Sequence, residues 1–133
     1  METVKIGIIG CGNISAAYLR TVKAFSILEA VAVADIDPAR AVARAQEFGV
    51  PRACSVQELL ADPTIQIVVN LTTPQAHTEI NLAAIEAGKH VYTEKPLAVT
   101  REDGAQVLAA ARTKGVRLGC APGTFLGGGL QTC

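Results

Sequence analysis

Four clusters in the chain carry residue types that can bind or react. In Gly10-Cys11-Gly12-Asn13-Ile14-Ser15, a glycine pair follows a β-branched run and opens a segment with helical spacing through Ala16, Ala17, Leu19 and Val22. Where such a turn holds a dinucleotide, the first glycine makes the bend and the second lets the backbone approach a diphosphate. A small third residue then lets the helix pack closely on the strand. Ser15 fills that third place, its hydroxyl available for a local bond or for phosphate. The anion would sit on the N–H groups of the helix N-terminus, worth about 0.3–1 kcal/mol at an exposed site. A plain strand-to-helix turn uses the same residues, so the second cluster adds more. Asp35 closes the run Ala30 to Ala34, 23 residues after Gly12, the spacing of a carboxylate that accepts from adenosine ribose hydroxyls. A 2′-phosphate would face that carboxylate. Two like charges about 4 Å apart at an effective dielectric near 20 repel by roughly 4 kcal/mol, and each ~1.4 kcal/mol is tenfold in affinity. NAD is therefore expected over NADP, with Arg40 close enough in sequence to soften the discrimination. The alternative role for Asp35, capping the next helix, is already covered by Asp37 before Pro38.

The third and fourth clusters are Leu71-Thr72-Thr73-Pro74 with His77, and Glu94-Lys95-Pro96. Each ends an apolar run, on the edge of a sheet where open α/β folds bind ligands. Thr73 before Pro74 also reads as N-cap and N1 of a helix. His77, in the first turn of that helix, either faces a cofactor or positions the helix; no second ligand accompanies it for a metal. By residue type alone, Glu94 and Lys95 read as a surface pair after a strand, with Pro96 ending the ladder.

These clusters need a scaffold of alternating strands and helices. Strands are expected at Val4 to Ile9, Ala30 to Ala34, near Arg52 to Cys54, Ile67 to Leu71, His90 to Thr93 and Val116 to Cys120. Helical spacing follows each of the first five, which argues for βαβ units and a parallel sheet covered on both faces. Ser55 with Glu58 forms a capping box, Thr100 with Asp103 a weaker one, and Gly49, Gly88 and Gly115 sit where helices end in a left-handed residue. After residue 121 the run Pro122-Gly123-Thr124-Phe125-Leu126-Gly127-Gly128-Gly129 has no strand or helix period and reads as a crossing segment.

Composition narrows the classes. At 133 residues with 50% apolar and 18% charged residues, the chain fits one folded domain, not a disordered one. Twelve basic and twelve acidic residues cancel, so nucleic acid and anionic membranes are not expected partners. The apolar run Ile6 to Gly12 is too short to span a bilayer and has no basic lead, so a cytoplasmic location is expected. Cys11, Cys54, Cys120 and Cys133 show no metal-ligand spacing and read as free thiols.

The set GCGNIS at 10–15, ADID at 34–37, NLTTPQAH at 70–77, AGKHVYTEKP at 87–96 and APGTFLGGGLQT at 121–132 resembles the N-terminal part of the Gfo/Idh/MocA oxidoreductases. The resemblance covers the whole chain, and AGKHVxxEKP is its most specific part. It implies a Rossmann fold, a doubly wound parallel sheet of order 3-2-1-4-5-6, spanning residues 1–121. Residues 122–133 would begin the crossing to a substrate domain that is missing here, with Phe125 to Gln131 leading into it. It also implies NAD as cofactor, with Gly10, Cys11, Gly12, Asn13 and Ile14 at the diphosphate and Asp35 at the adenosine ribose. Leu71, Thr72, Thr73 and His77 would lie beside the cofactor. Lys95 would be the catalytic residue next to nicotinamide, and Glu94 would contact the nicotinamide ribose or fix Lys95. The parent reaction would move a hydride between nicotinamide and a sugar, polyol or related hydroxyl compound. The family's Asp and His that position substrate lie beyond Cys133, and Gly123 stands where the family often has Asp. This chain alone is therefore expected to bind NAD without turnover, as a monomer or through apolar surface that the second half would cover. Two other classes fit part of the pattern: a non-enzymatic NAD-sensing module, and a methyltransferase using S-adenosylmethionine, which has no need of Glu94-Lys95-Pro96.

Overall fold

A computed structural model describes residues 2–122 and Gly129. Eleven elements alternate along the described chain. They are β1 (Val4–Ile9), α1 (Asn13–Ala24), β2 (Leu28–Ala34), α2 (Pro38–Phe48), β3 (Arg52–Cys54), α3 (Val56–Ala61), β4 (Ile67–Asn70), α4 (Pro74–Glu86), β5 (His90–Thr93), α5 (Arg101–Lys114) and β6 (Leu118–Cys120). All pairings are parallel and the order is β3-β2-β1-β4-β5-β6, the order expected from the sequence.

Two apolar cores sandwich the sheet. Ile6, Ile8, Val33 and Val69 pack against Leu19 and Val22 of α1 and Ala41, Ala45 and Phe48 of α2. On the other face Ile9, Ala34, Val68 and Val91 pack against Leu59 of α3, Ala84 and Ile85 of α4, and Val107 and Ala111 of α5. Strands covered on both faces explain why β1 and β4 read as continuous apolar runs instead of alternating ones.

The strand limits differ from expectation in three places. β2 begins at Leu28 because the turn after α1 closes with Leu28 N–H donating to the Phe25 carbonyl, which sets Val4 opposite Leu28. β4 ends at Asn70 because the Asn70 side chain accepts from the Thr72 N–H and bends the chain there. β6 starts at Leu118, since Val116 N–H donates to the Ala111 carbonyl and so belongs to the C-terminal cap of α5. The expected caps are present: Asp37 accepts from Ala39 N–H, Ser55 and Glu58 form the reciprocal box, Thr100 accepts from Asp103 N–H, and Gly49, Gly88 and Gly115 are left-handed. The expected roles of Gly123 and of Phe125 to Gln131 lie outside the described residues.

Candidate functional site

β1 and β4 are neighbours at the middle of the sheet, and the chain winds away from them in opposite directions. The turn after β1 is built against the turn after β4. Gly10 has φ +102°, and a Cβ placed on it would lie 2.5 Å from the Leu71 carbonyl carbon and 2.8 Å from Thr72 N. No other residue fits there. A Cβ on Gly12, by contrast, would meet no protein atom within 4 Å, so the space above this turn is open. Gly12 is the N-cap of α1 and supplies no side-chain cap. Its carbonyl is drawn inward by three donors: Ser15 N–H at 3.1 Å, Ser15 Oγ at 2.5 Å and Arg44 Nη2 at 3.2 Å. Ser15 is fully buried, so its hydroxyl serves the local bond. Asn13 and Ile14, the first two residues of α1, are exposed. Their N–H groups lie in the first turn, which has no intrahelical acceptor.

Two anchored carboxylates stand on this edge of the sheet. Asp35, directly after β2, accepts Cys11 N–H at 2.7 Å through Oδ2 and Asp37 N–H at 2.9 Å through Oδ1. Its side chain is 5% exposed, with the half-exposed Arg40 guanidinium 3.7 Å from Oδ1. Glu94, directly after β5, accepts Tyr18 O–H at 2.6 Å through Oε1 and Lys95 N–H at 3.1 Å through Oε2. A carboxylate offers about four lone-pair sites, so each keeps acceptor capacity for a diol. Cys11 turns its thiol into the core toward the Ala34 carbonyl. Burial pushes that thiol up to about 11, with Asp35 adding to the effect, so it is not a nucleophile at neutral pH.

His77 is fully buried, with Nδ1 2.6 Å from the Pro96 carbonyl oxygen and Nε2 3.0 Å from that of Thr72. Carbonyls only accept, so in either tautomer a ring N–H is committed to one of them. Of the two roles open to His77, this geometry favours positioning: it braces the β4–α4 turn against the loop carrying Lys95. Asn70 supports the same turn. Its oxygen accepts from Thr72 N and Oγ1, and its amide donates to the His77 carbonyl and to Asn81. Leu71 is buried behind Gly10, Thr72 is half-buried, and Thr73, exposed at the N-cap of α4, makes no side-chain cap bond. Lys95 is exposed between Glu94, held by Tyr18, and Pro96, held by His77. Its ammonium has no partner among the described residues.

Sequence reasoning missed four contributors. Tyr18 and Arg44 act across the fold, although Arg44 lies one helical turn from Arg40 and so shares its face of α2, while Asn70 works within its own strand-to-helix unit. Ile36, 97% exposed beside Asp35, offers an apolar surface next to that carboxylate. A cleft of about 460 Å³ beside β3 and α3, lined by Arg52, Cys54, Glu58 and Asp62, lies away from these residues, and Arg52 and Asp62 pair with each other at 2.6 Å. Among the described residues no helix is long and apolar enough to cross a membrane, and no group of three or more His, Cys, Asp or Glu is arranged for a metal.

Residues 4–121 match the family described as "Oxidoreductase family, NAD-binding Rossmann fold". The chain belongs to the Gfo/Idh/MocA oxidoreductases. Among relatives, 1,5-anhydro-D-fructose reductase of Ensifer adhaerens is 40% identical over 85% of this chain and 34% of its own length. Inositol 2-dehydrogenase of Ralstonia nicotianae is 37% identical over 87% of this chain and 35% of its own. The WlbA dehydrogenase of Chromobacterium violaceum, solved with NADH and UDP-GlcNAcA, superposes with a TM-score of 0.93 at 29% identity, covering 99% of this chain and 39% of that one. Biliverdin reductase of Synechocystis, solved with biliverdin and NADP+, gives 0.87 at 34% identity, covering 96% and 40%. The chain thus spans about a third of the length of the curated relatives it matches. Membership in a Gfo/Idh/MocA NAD-binding family sets aside the methyltransferase reading.

Proposed function

We propose that this chain binds NAD along the carboxyl edge of the sheet, as the cofactor half of an oxidoreductase acting on a sugar, polyol or related hydroxyl compound. The observation that carries the reading is the pair of anchored carboxylates, Asp35 and Glu94, on either side of the open turn at Gly12. A dinucleotide has two ribose diols joined by a diphosphate, which matches acceptor, donor turn and acceptor in that order.

In this reading the N–H groups of Asn13 and Ile14 receive the diphosphate at the N-terminus of α1, whose dipole favours the anion. Gly10 seats that turn against the backbone of Leu71 and Thr72. Asp35 accepts from the adenosine ribose and disfavours a 2′-phosphate, while Glu94 accepts from the second ribose. A bound nicotinamide supplies the hydride acceptor or donor. Lys95, unpartnered among the described residues, donates from its ammonium to the substrate oxygen and stabilises the negative charge that develops when the alcohol loses its proton. His77 and Cys11 act on geometry alone, without contact to substrate.

Residues 1–121 form the dinucleotide domain, and the crossing expected over 122–133 falls largely outside the described residues. The free thiols Cys11, Cys54 and Cys120 support a reducing, cytoplasmic setting. Calorimetric titration with NAD tests the binding: saturable heat is expected, and none at millimolar NAD overturns the reading. Steady NADH production by this chain from a panel of polyols would refute the proposal that it holds only half of the catalytic site.

A further inference from the structure

We propose that Tyr18 is a positioning residue for the nicotinamide end of this site, tying Glu94 to the helix that begins at the diphosphate turn. The inference rests on the NAD reading above and deepens it. Tyr18 lies on α1, six residues after Gly12, yet its phenol donates at 2.6 Å to Glu94 Oε1, on a residue 76 positions away at the end of β5. That distance is at the short end for an O–H donor on a carboxylate, the range of charge-assisted bonds. The ring is fixed as well, packed against Tyr92 with centroids 6.3 Å apart. Burial, and then the Glu94 carboxylate, push the phenol above its ordinary range, so it stays a donor at any physiological pH.

The consequence is mechanical. Glu94 Oε2 already accepts Lys95 N–H, so the Tyr18 bond leaves the carboxylate one orientation, with its remaining lone pairs for a ribose diol. The helix that seats the diphosphate and the loop that presents Lys95 then move as one unit. Without the phenol, Glu94 is free to rotate away from the second ribose, while the diphosphate turn, built from Gly10, Gly12, Ser15 and Asp35, is untouched.

The test compares NAD with ADP, which lacks the second ribose and the nicotinamide. Tyr18→Phe is expected to weaken NAD binding about tenfold, the loss of one charge-assisted bond, and to change ADP binding less than twofold. Glu94→Gln is expected to weaken NAD similarly, and the double variant no further. In a tyrosinate titration, Tyr18 of the wild type resists ionisation; Tyr18→Phe removes that signal, and Glu94→Gln brings it part of the way down, since burial remains. Equal losses for NAD and ADP, additive losses in the double variant, or an unchanged NAD affinity each overturn the proposal. If the wild type fails to bind NAD at all, the NAD reading falls, and the tyrosinate titration still decides whether Tyr18 holds Glu94.

Discussion

Gly10 and Gly12 sit two residues apart in one turn, and the structure gives them opposite jobs. Substituting each with alanine separates the jobs. At Gly10, φ is +102° and the new methyl would lie 2.5 Å from Leu71 carbonyl carbon and 2.6 Å from its oxygen. The backbone conformation costs a residue with a Cβ about 1–3 kcal/mol, and shifting the abutting backbone costs roughly another 1–3 kcal/mol. Against a total stability of about 5–15 kcal/mol, that lowers the melting temperature by about 8–24 °C at roughly 4 °C per kcal/mol. At Gly12, φ −73° and ψ −166° suit alanine, and the methyl meets no protein atom within 4 Å. Alanine there loses about 0.5–1 kcal/mol as a poorer N-cap and gains about 0.4–1 kcal/mol from a stiffer unfolded chain. Stability is therefore expected to stay near that of the wild type. NAD binding is not: a methyl over the turn holds the diphosphate off its N–H donors, and losing one charge-assisted bond of about 1.5–3 kcal/mol lowers affinity some ten- to a hundredfold. Thermal unfolding and calorimetric NAD titration of both variants give the answer. A Gly12→Ala protein that binds NAD like the wild type would refute the claim that the open space over this turn belongs to the cofactor.

Three further outcomes are expected. Asp35→Ala releases Cys11 N–H and Asp37 N–H and removes the charge facing a 2′-phosphate. The proposed preference for NAD over NADP, from roughly 4 kcal/mol of repulsion, is expected to fall toward parity in competition binding. His77→Ala leaves at least one of the Thr72 and Pro96 carbonyls without its donor and empties a fully buried volume. A loss of about 2–5 kcal/mol in denaturant unfolding follows, and a loss under about 1 kcal/mol would show that His77 is no brace. Burial pushes Cys11 from 9.0 up to about 11. The folded chain therefore keeps a proton that the unfolded chain releases, and this stability is complete below pH 9 and lost as pH rises through 11. The melting temperature should fall across that window, less steeply in Cys11→Ala.

What was legible in the sequence is what acts locally. The glycine turn, Asp37 before Pro38, the Ser55–Glu58 box and the C-terminal glycines each work within a few residues, so spacing reveals them. The parallel sheet followed from the alternation of elements, and its strand order from the family resemblance. The contacts that fix Glu94 and Lys95 were not legible. Tyr18 reaches Glu94 across 76 residues, and His77 reaches Pro96 across 19 in one direction and Thr72 across 5 in the other. A tyrosine on an amphipathic helix carries no mark that its hydroxyl, not only its ring, is in use. His77 left two roles open because its depth in the fold, fully buried, is a property of packing that spacing does not encode.

The pattern of helix caps bears on the proposed site without reference to any relative. α2, α3 and α5 each begin with a side chain, Asp37, Ser55 or Thr100, that accepts from a first-turn N–H. α1 and α4 begin with Gly12 and Thr73, and neither supplies such a bond. Leaving a cap out costs a helix about 1 kcal/mol. Propensity does not explain the choice at α4, since Thr73 carries a hydroxyl suited to the task. The two uncapped helices follow β1 and β4, the central neighbours of the sheet, and the three capped helices follow the other strands that lead into helices. An N–H group that donates to its own cap cannot donate to a diphosphate. Of the two, α1 leaves the N–H groups of Asn13 and Ile14 open, whereas α4 starts at Pro74, which has none, and Ala76 N–H donates to the Thr73 carbonyl. The open donors thus gather at the start of α1, beside the strand pair where the winding of the chain reverses.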